Sequence, residues 1–419
     1  MNKNDFNDGL LGFLDASPTP FHATRNMAMM FENAGFLKLN ELGKWDLKHG
    51  KRYFVTRNDS SIIAFTYTGS LNYTIIGSHT DSPNLKLKPN PIIKEHGVVK
   101  LGVEPYGGIL FNPWFDRDLS LAGRVSYLNS QNIIKETLID VKKAMAIIPS
   151  LAIHLDRDVH MSKKVNPQTD VCPIVSTAGE FDFEQFLRDE LGRNGIDDVV
   201  ELYANELSFY DVQNASFIGL DDDFIASARL DNLLSCYVAM VAICSVSDDV
   251  PMLFIASDHE EVGSGSTSGA AGSFLENTLH KMFADYDDFV NMIRSSIMIS
   301  ADNAHAIHPN FPDKHDQNHA PRINGGVVIK SNVNQRYASN SKTVSRFLNV
   351  ASSLGEPTQN FVTRSDIACG STIGPITATR LGIETVDIGL PTLAMHSIRE
   401  LCGRDDAYSL YKILLGFGV

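Results

Sequence analysis

Three features of this 419-residue chain predict an α/β fold interrupted by a β-rich insertion. Apolar runs such as Tyr73-Thr74-Ile75-Ile76 and Met252-Leu253-Phe254-Ile255-Ala256 read as buried strands, and helical periodicity over residues 231–246 alternates with them. Between them, from residue 82 to about 224, prolines, glycines and short alternating runs take over. Finally, acids and histidines stand directly behind the apolar runs, which is where an open α/β sheet presents its ligands.

Along the chain, residues 4–37 place Leu10, Leu11, Phe13 and Leu14, then Met27, Met30 and Phe31, at helical spacing, and Ser17-Pro18-Thr19-Pro20 divides them into two helices. Alternation over 51–55 and 62–66 predicts two strands leading into a third that ends at His79. Pro83, Pro89, Pro91, Pro105 and Gly107-Gly108 punctuate the β-rich stretch, with 122–128 one of its alternating runs. Strands over 252–257, 296–300 and 326–330, alternating with helices, return the chain to α/β. Because His79 precedes the β-rich stretch and the other polar candidates follow it, residues 86–224 read as an insertion into one domain formed by 1–85 and 225–419.

Composition narrows the function. An apolar fraction of 43% and a charged fraction of 21% belong to an ordinary globular chain. A net charge of -14 opposes nucleic-acid binding, which needs a basic surface. Apolar stretches such as 237–246 are too short for a membrane span of about 20 residues. The start, Met1-Asn2-Lys3-Asn4-Asp5-Phe6, has no basic and apolar leader, and Cys172, Cys236, Cys244, Cys369 and Cys402 show no CxxC spacing. A cytoplasmic protein with reduced cysteines is expected.

Five segments carry the candidate chemistry: Gly77-Ser78-His79-Thr80-Asp81, Arg229-Leu230-Asp231-Asn232, Asp258-His259-Glu260-Glu261, Ser300-Ala301-Asp302-Asn303-Ala304-His305 and Ala394-Met395-His396-Ser397. Each has a plainer reading. His79-x-Asp81 could be a solvated turn, although two residues apart on extended backbone the carboxylate can sit behind the imidazole and fix its tautomer. Asp231 could be only a helix N-cap, Glu260-Glu261 the first turn of a helix, and His396 a satisfied core histidine. Of the loop histidines His305, His308, His315 and His319, whose spacing matches no zinc-finger pattern, His305 beside Asp302 is the candidate. Together, however, the segments supply two metals with a histidine and a carboxylate each and a shared Asp231, and one glutamate remains. That is the composition of a two-metal hydrolase, in which paired cations hold and activate a water and Glu260 takes its proton.

The segments Gly77 to Pro83, Asp258 to Ser264, Ser300 to His305 and Leu390-Pro391-Thr392-Leu393-Ala394-Met395-His396 resemble those of the aspartyl aminopeptidases, family M18 of the dinuclear zinc exopeptidases, and the resemblance spans essentially the whole chain. It implies a mixed-sheet α/β/α catalytic domain with an inserted β-rich dimerisation domain. It further implies two zinc ions per subunit, His79 and Asp302 on one, Glu261 and His396 on the other, Asp231 bridging, Glu260 as general base and Asp81 orienting His79. Manganese or cobalt would suit the same donors. A cis peptide between Asp231 and Asn232 is implied as well.

The resemblance adds substrate-binding roles for His154, His305, Lys330 and Tyr337, with His154 reaching a neighbouring subunit's site. It implies a homo-oligomer, a tetrahedral dodecamer built from dimers, acting on peptides with a preference for N-terminal Asp or Glu that Lys330 could pair with. A neutral-residue preference, another two-metal amidohydrolase such as a deacylase or carboxypeptidase, and a metal-stabilised assembly scaffold are the competing readings. A scaffold would have no use for Glu260.

Overall fold

The run Met252–Ser257 is buried at every position and lies inside a nine-stranded sheet. It pairs in parallel with Thr74–His79, which pairs in parallel with Ile297–Ala301, and that strand with Glu384–Gly389. On one side the sheet continues antiparallel through Ser61–Tyr67 and Lys51–Arg57, with the short Leu37–Lys38 added in parallel; on the other, Val327–Lys330 runs antiparallel to Glu384–Gly389 and is followed by Thr358–Phe361. Side chains alternate between two cores. Phe54, Ile62, Ala64, Ile76, Phe254 and Ala256 feed one, while Tyr53, Val55, Ile63, Phe65, Ile75, Leu253 and Ile255 feed the other. Burial on both faces is why these strands read as continuous apolar runs.

The computed structural model describes residues 1–162, 164–177 and 181–418. Residues 163 and 178–180 of the expected insertion, and residue 419, lie outside the described residues. Contacts divide the chain into two units, one of Met1–Asp81, Ala215–Met395 and Glu400–Val419, the other of Ser82–Asn214 and His396–Arg399. Residues 215–224, expected within the insertion, belong to the first unit because Ser216–Ile218 pairs with Phe224–Ser227, which pairs with Glu400–Gly403 in a five-stranded sheet. A hydrogen-bonded ladder outweighs the proline and glycine punctuation that suggests a boundary at 224.

Helices of the first unit follow from their caps and periodicity. Lys3–Ala16 and Pro20–Asn33 start at Asn2 and Thr19, whose side chains accept from the backbone N–H groups of Asp5 and His22. Pro20 sits at the first helical position, where its missing N–H costs nothing. Leu230–Ser245 is apolar on all sides and buried from Leu230 to Ile243. Among the described residues no helix is long and apolar enough to cross a membrane.

The second unit is built on a six-stranded antiparallel sheet, in the order Ile134–Asp140, Leu119–Asn129, Val199–Asp211, Asn84–Glu95, Val98–Tyr106 and Ile174–Ser176. Its core gathers Leu85, Leu101, Trp114, Leu121, Leu207 and Phe209, against which helix Phe183–Arg193 packs Leu187 and Leu191. Residues 149–158 form loops and turns, followed by the single turn Val159–Ser162. There Leu151, Ile153, Leu155 and Met161 are all exposed, the last at 87%.

Candidate metal centre

Four sequence segments that look weak singly meet at the carboxyl ends of the parallel strands. His79 is the last residue of Thr74–His79, Asp302 follows Ile297–Ala301, and Glu260 and Glu261 occupy a tight turn after Met252–Ser257. Asp231 lies at the start of helix Leu230–Ser245, where its φ and ψ are not helical and the Asp231–Asn232 peptide is cis. The plain N-cap reading does not describe this geometry. His79 Nε2 is 3.3 Å from Asp231 Oδ1 and 3.5 Å from Asp302 Oδ1. His79, Asp231 and Asp302 can offer ligand atoms within 4.8 Å of one another, and so can His79, Glu260 and Glu261.

Asp81 faces both the imidazole and the glutamate turn. Nδ1 of His79 lies 3.0 Å from the Asp81 backbone carbonyl and 3.4 Å from Oδ1. The two carboxylate oxygens accept the backbone N–H groups of Glu260 and Glu261, each at 3.0 Å. Paired in this way, the carboxylate is held in place by two donors from one turn, so Asp81 joins the histidine strand to the glutamate turn. His259 adopts a left-handed φ of 63°, which reverses the chain and aims those two N–H groups at it.

Electrostatics at this edge are far from ordinary. Burial opposes charge on His79, yet Asp231, Asp302 and Asp81 hold its imidazole well above the usual pKa. Burial pushes the Glu260 carboxyl up to about 8, with Asp302, Asp231 and Asp81 adding to the rise and His79 opposing it. Glu261 is raised well above its ordinary value by burial and by Asp231. Burial would raise Asp302 too, but Lys330 and His79 outweigh it and leave this carboxyl lowered. Carboxylates gathered in a desolvated space repel one another unless cations compensate. An imidazole and several carboxylates converging here are donors suited to zinc, and equally to manganese or cobalt.

The remaining predicted residues divide between the units. Lys330 is 2% exposed at the end of Val327–Lys330, its Nζ donating to Asn303 O at 3.1 Å and lying 3.4 Å from Asp302 Oδ2. The Tyr337 ring is buried, with Lys330 Nζ 5.1 Å from its centroid. His305 is exposed in the short strand Ala304–His305, edge-on to Phe361. His154 falls in the second unit, on exposed turns in place of the apolar strand its neighbours suggest. His396 is grouped with the second unit too, its Nδ1 3.1 Å from Gly108 O, where a Cβ on residue 108 would press on the ring. Neither His308, His315 nor His319 joins a candidate metal group among the described residues.

One residue packed against the candidate site, Glu400, carries no signal in the sequence. It is 2% exposed, and its Oε2 accepts the Asp231 backbone N–H at 3.0 Å, fixing the chain at Asp231. In the sequence Arg399-Glu400 looks like a solvated charge pair, and only the pairing of Glu400–Gly403 with Phe224–Ser227 brings it to Asp231.

Known proteins share both sequence and fold. The model of the aminopeptidase I zinc metalloprotease (M18) family matches residues 13–417. A probable M18 family aminopeptidase 2 of Pseudomonas putida KT2440 is 52% identical over 424 residues, covering 99% of this chain and 98% of that protein. In a cryo-EM structure of an Ape4 and Nbr1 complex, the matching chain is 35% identical with a TM-score of 0.95, covering 99% of this chain and 85% of that one. The structure of the S. cerevisiae mApe1 dodecamer matches with a TM-score of 0.87 at 28% identity, covering 100% of this chain and 97% of that one. A family match over nearly the full length, together with the convergence of metal donors at one sheet edge, places the chain in the M18 family of zinc metalloaminopeptidases.

Proposed function

We propose that this aminopeptidase works with two zinc ions per subunit, held by His79, Asp231, Glu261, Asp302 and His396, with Glu260 as general base. The observation that carries the proposal is the convergence of His79, Asp231, Asp302, Glu260 and Glu261 at the carboxyl edge of the parallel strands. His396 follows directly on Met395, the last residue of a segment of the first unit, and we assign it the remaining ligand position beside Glu261. Zinc bound there supplies Lewis-acid polarisation of the scissile carbonyl and a lowered pKa for water.

The chain's own residues do the rest. Asp81 holds the turn of Glu260 and Glu261 by two N–H groups, so the two adjacent carboxylates cannot exchange places. Glu260, whose burial favours uptake of a proton near neutral pH, takes one from water and delivers it to the leaving amine nitrogen. Glu400 and the Lys330 ammonium fix Asp231 and Asp302 respectively. Replacing Glu260 by Gln tests this directly: metal content and assembly should persist while turnover of an aminoacyl-anilide is lost, and retained turnover would refute the base.

For specificity we propose a preference for N-terminal Asp or Glu, with Lys330, Tyr337 and His305 forming the pocket and His154 entering from a neighbouring subunit. The buried Lys330 ammonium supports it. One observation favours a neutral-residue preference: that ammonium already contacts Asp302 and the Asn303 carbonyl. A panel of Asp-, Glu-, Leu- and Ala-anilides decides, and faster cleavage of the neutral members would overturn the acidic reading. N-acylated amino acids in the same panel would reveal a deacylase.

We further propose a dodecamer built from dimers, through residues 86–224. The exposed Leu151, Ile153, Leu155 and Met161 around His154 support a buried contact there, since clustered apolar side chains mark interaction sites. An active monomer in light scattering would refute it. A cytoplasmic location is supported by five cysteines that form no disulfide, and recovery in an extracytoplasmic fraction would count against it.

A further inference from the structure

We propose that Asp387 is a positioning residue for the substrate pocket, its buried carboxylate fixing the loop that carries Tyr337 and so the seat of that ring on Lys330. The inference rests on the reading that Tyr337 and Lys330 meet the substrate.

Asp387 sits inside the strand Glu384–Gly389 with no exposed surface, between Val386 and Ile388, which point into the apolar core on the other face. A carboxylate in such a strand is costly unless it is well partnered. Its Oδ2 accepts the Ala338 N–H at 2.6 Å, and its Oδ1 accepts the Thr372 hydroxyl at 2.6 Å. The backbone repeats the attachment: Asp387 N–H donates to Ser339 Oγ at 2.9 Å, and the Ser339 hydroxyl lies 3.3 Å from Asp387 O. Residues 338 and 339 are thus held by both the side chain and the main chain of one aspartate.

What the carboxylate holds identifies its role. Residues 331–340 form no helix or strand, and Val333 there is 94% exposed, so the loop has little packing of its own. Tyr337, directly before Ala338, is nevertheless buried with Ala304, Val328 and Phe361, its ring beside the Lys330 ammonium. The second partner, Thr372, caps helix Ile373–Leu381 by accepting from the Gly374 N–H, and a Cβ at Gly374 would collide with the Asp387 carboxylate. The helix end therefore approaches closely and presents its positive pole to the acid. Two more bonds join the same segments, Arg336 Nε to Gly370 O and Ser371 Oγ to Arg336 O. Asp387 is the buried centre of this latch, and the Tyr337 backbone is its free end.

A purely structural helix cap would be felt in stability alone, whereas a positioning residue is felt in substrate binding. In the full-length assembled enzyme, Asp387→Asn should raise KM for an aminoacyl-anilide about tenfold, the loss expected for a charge-assisted hydrogen bond, with kcat and metal content within about twofold. An unchanged KM with only a lowered Tm would overturn the proposal. Should Asp387→Asn fail to fold, Thr372→Val should raise KM about threefold, as loss of one neutral hydrogen bond would, and Thr372→Ser should restore it. Equal KM values in those two variants would also overturn it. Tyr337→Ala, measured in parallel, separates the two layers of inference. If it leaves KM unchanged, the pocket assignment fails and this proposal with it; if it raises KM while Asp387→Asn does not, Asp387 alone is refuted.

Discussion

His79 and His154 show how differently one residue type is used in two regions of this molecule. His79 is 1% exposed, with its Nδ1 against the Asp81 carbonyl and its Nε2 facing Asp231 and Asp302. His154 stands on an exposed turn among Leu151, Ile153 and Leu155, which are exposed as well. At the sheet edge every group is placed by its own chain, and what remains to be supplied is positive charge. Along residues 149–162 apolar surface is left uncovered, and another chain can supply the cover. On the reading proposed above, one region is completed by ions and the other by copies of the protein.

The largest expected effects test the first half of that contrast. Glu260→Gln should lower kcat by ~10²–10⁴, the range for a lost general base, while metal content by elemental analysis and the oligomeric state stay unchanged. Asp231→Ala should instead lose metal and activity together. If Asp231→Ala kept its full metal complement, the assignment of the shared ligand would fall.

Metal uptake should be proton-linked, and the sign follows from the directions of the shifts. His79, Glu260 and Glu261 are all raised, so the metal-free site carries protons that a cation must displace. Apparent affinity should therefore increase with pH and weaken as pH falls below about 8, the value for Glu260. Calorimetry in buffers of different ionisation enthalpy would read the released protons; heats independent of buffer would show that the site takes metal without losing any.

The second half of the contrast predicts smaller changes. Leu155→Glu should shift the assembly towards smaller species in light scattering with little change in the Tm of the dissociated subunit, because a side chain 75% exposed contributes little to its own fold. No change in assembly would remove residues 149–162 from the interface. His154→Ala should leave both assembly and metal content intact and raise KM by roughly tenfold if it donates to substrate from a neighbouring copy, as loss of a charged hydrogen bond would. An unaltered KM would leave His154 as a surface residue of the contact.

Much of the candidate metal centre is legible in the amino-acid sequence because its residues follow strong local signals. His79, Glu260, Glu261 and Asp302 each stand just beyond a run buried on both faces, and such runs are recognisable from apolarity alone. Asp231 reads only as a helix start, and its departure from helical φ and ψ leaves no mark in the sequence. Glu400 and Asp387 are not legible there at all. The first looks like half of a surface charge pair and the second like the polar face of an amphipathic strand. Their burial comes from neighbours 169 residues away for Glu400 and 49 residues away for Asp387. The fold boundary lies near residue 215 and not at 224 for the same reason, since strand pairing at long range leaves no period in a single segment.

By itself, then, the sequence determined the alternation of buried strands and helices, the acidic and histidine residues at the strand ends, and the net charge of -14 that opposes nucleic-acid binding. Those properties depend on residues within a few positions of one another. Tertiary structure alone decided that Asp81 spans from the histidine strand to the glutamate turn, that Glu400 steadies Asp231, and that Asp387 anchors the Tyr337 loop. Each is a buried carboxylate whose cost is offset by backbone N–H groups from a distant segment, and distance along the chain is what a local reading cannot cross.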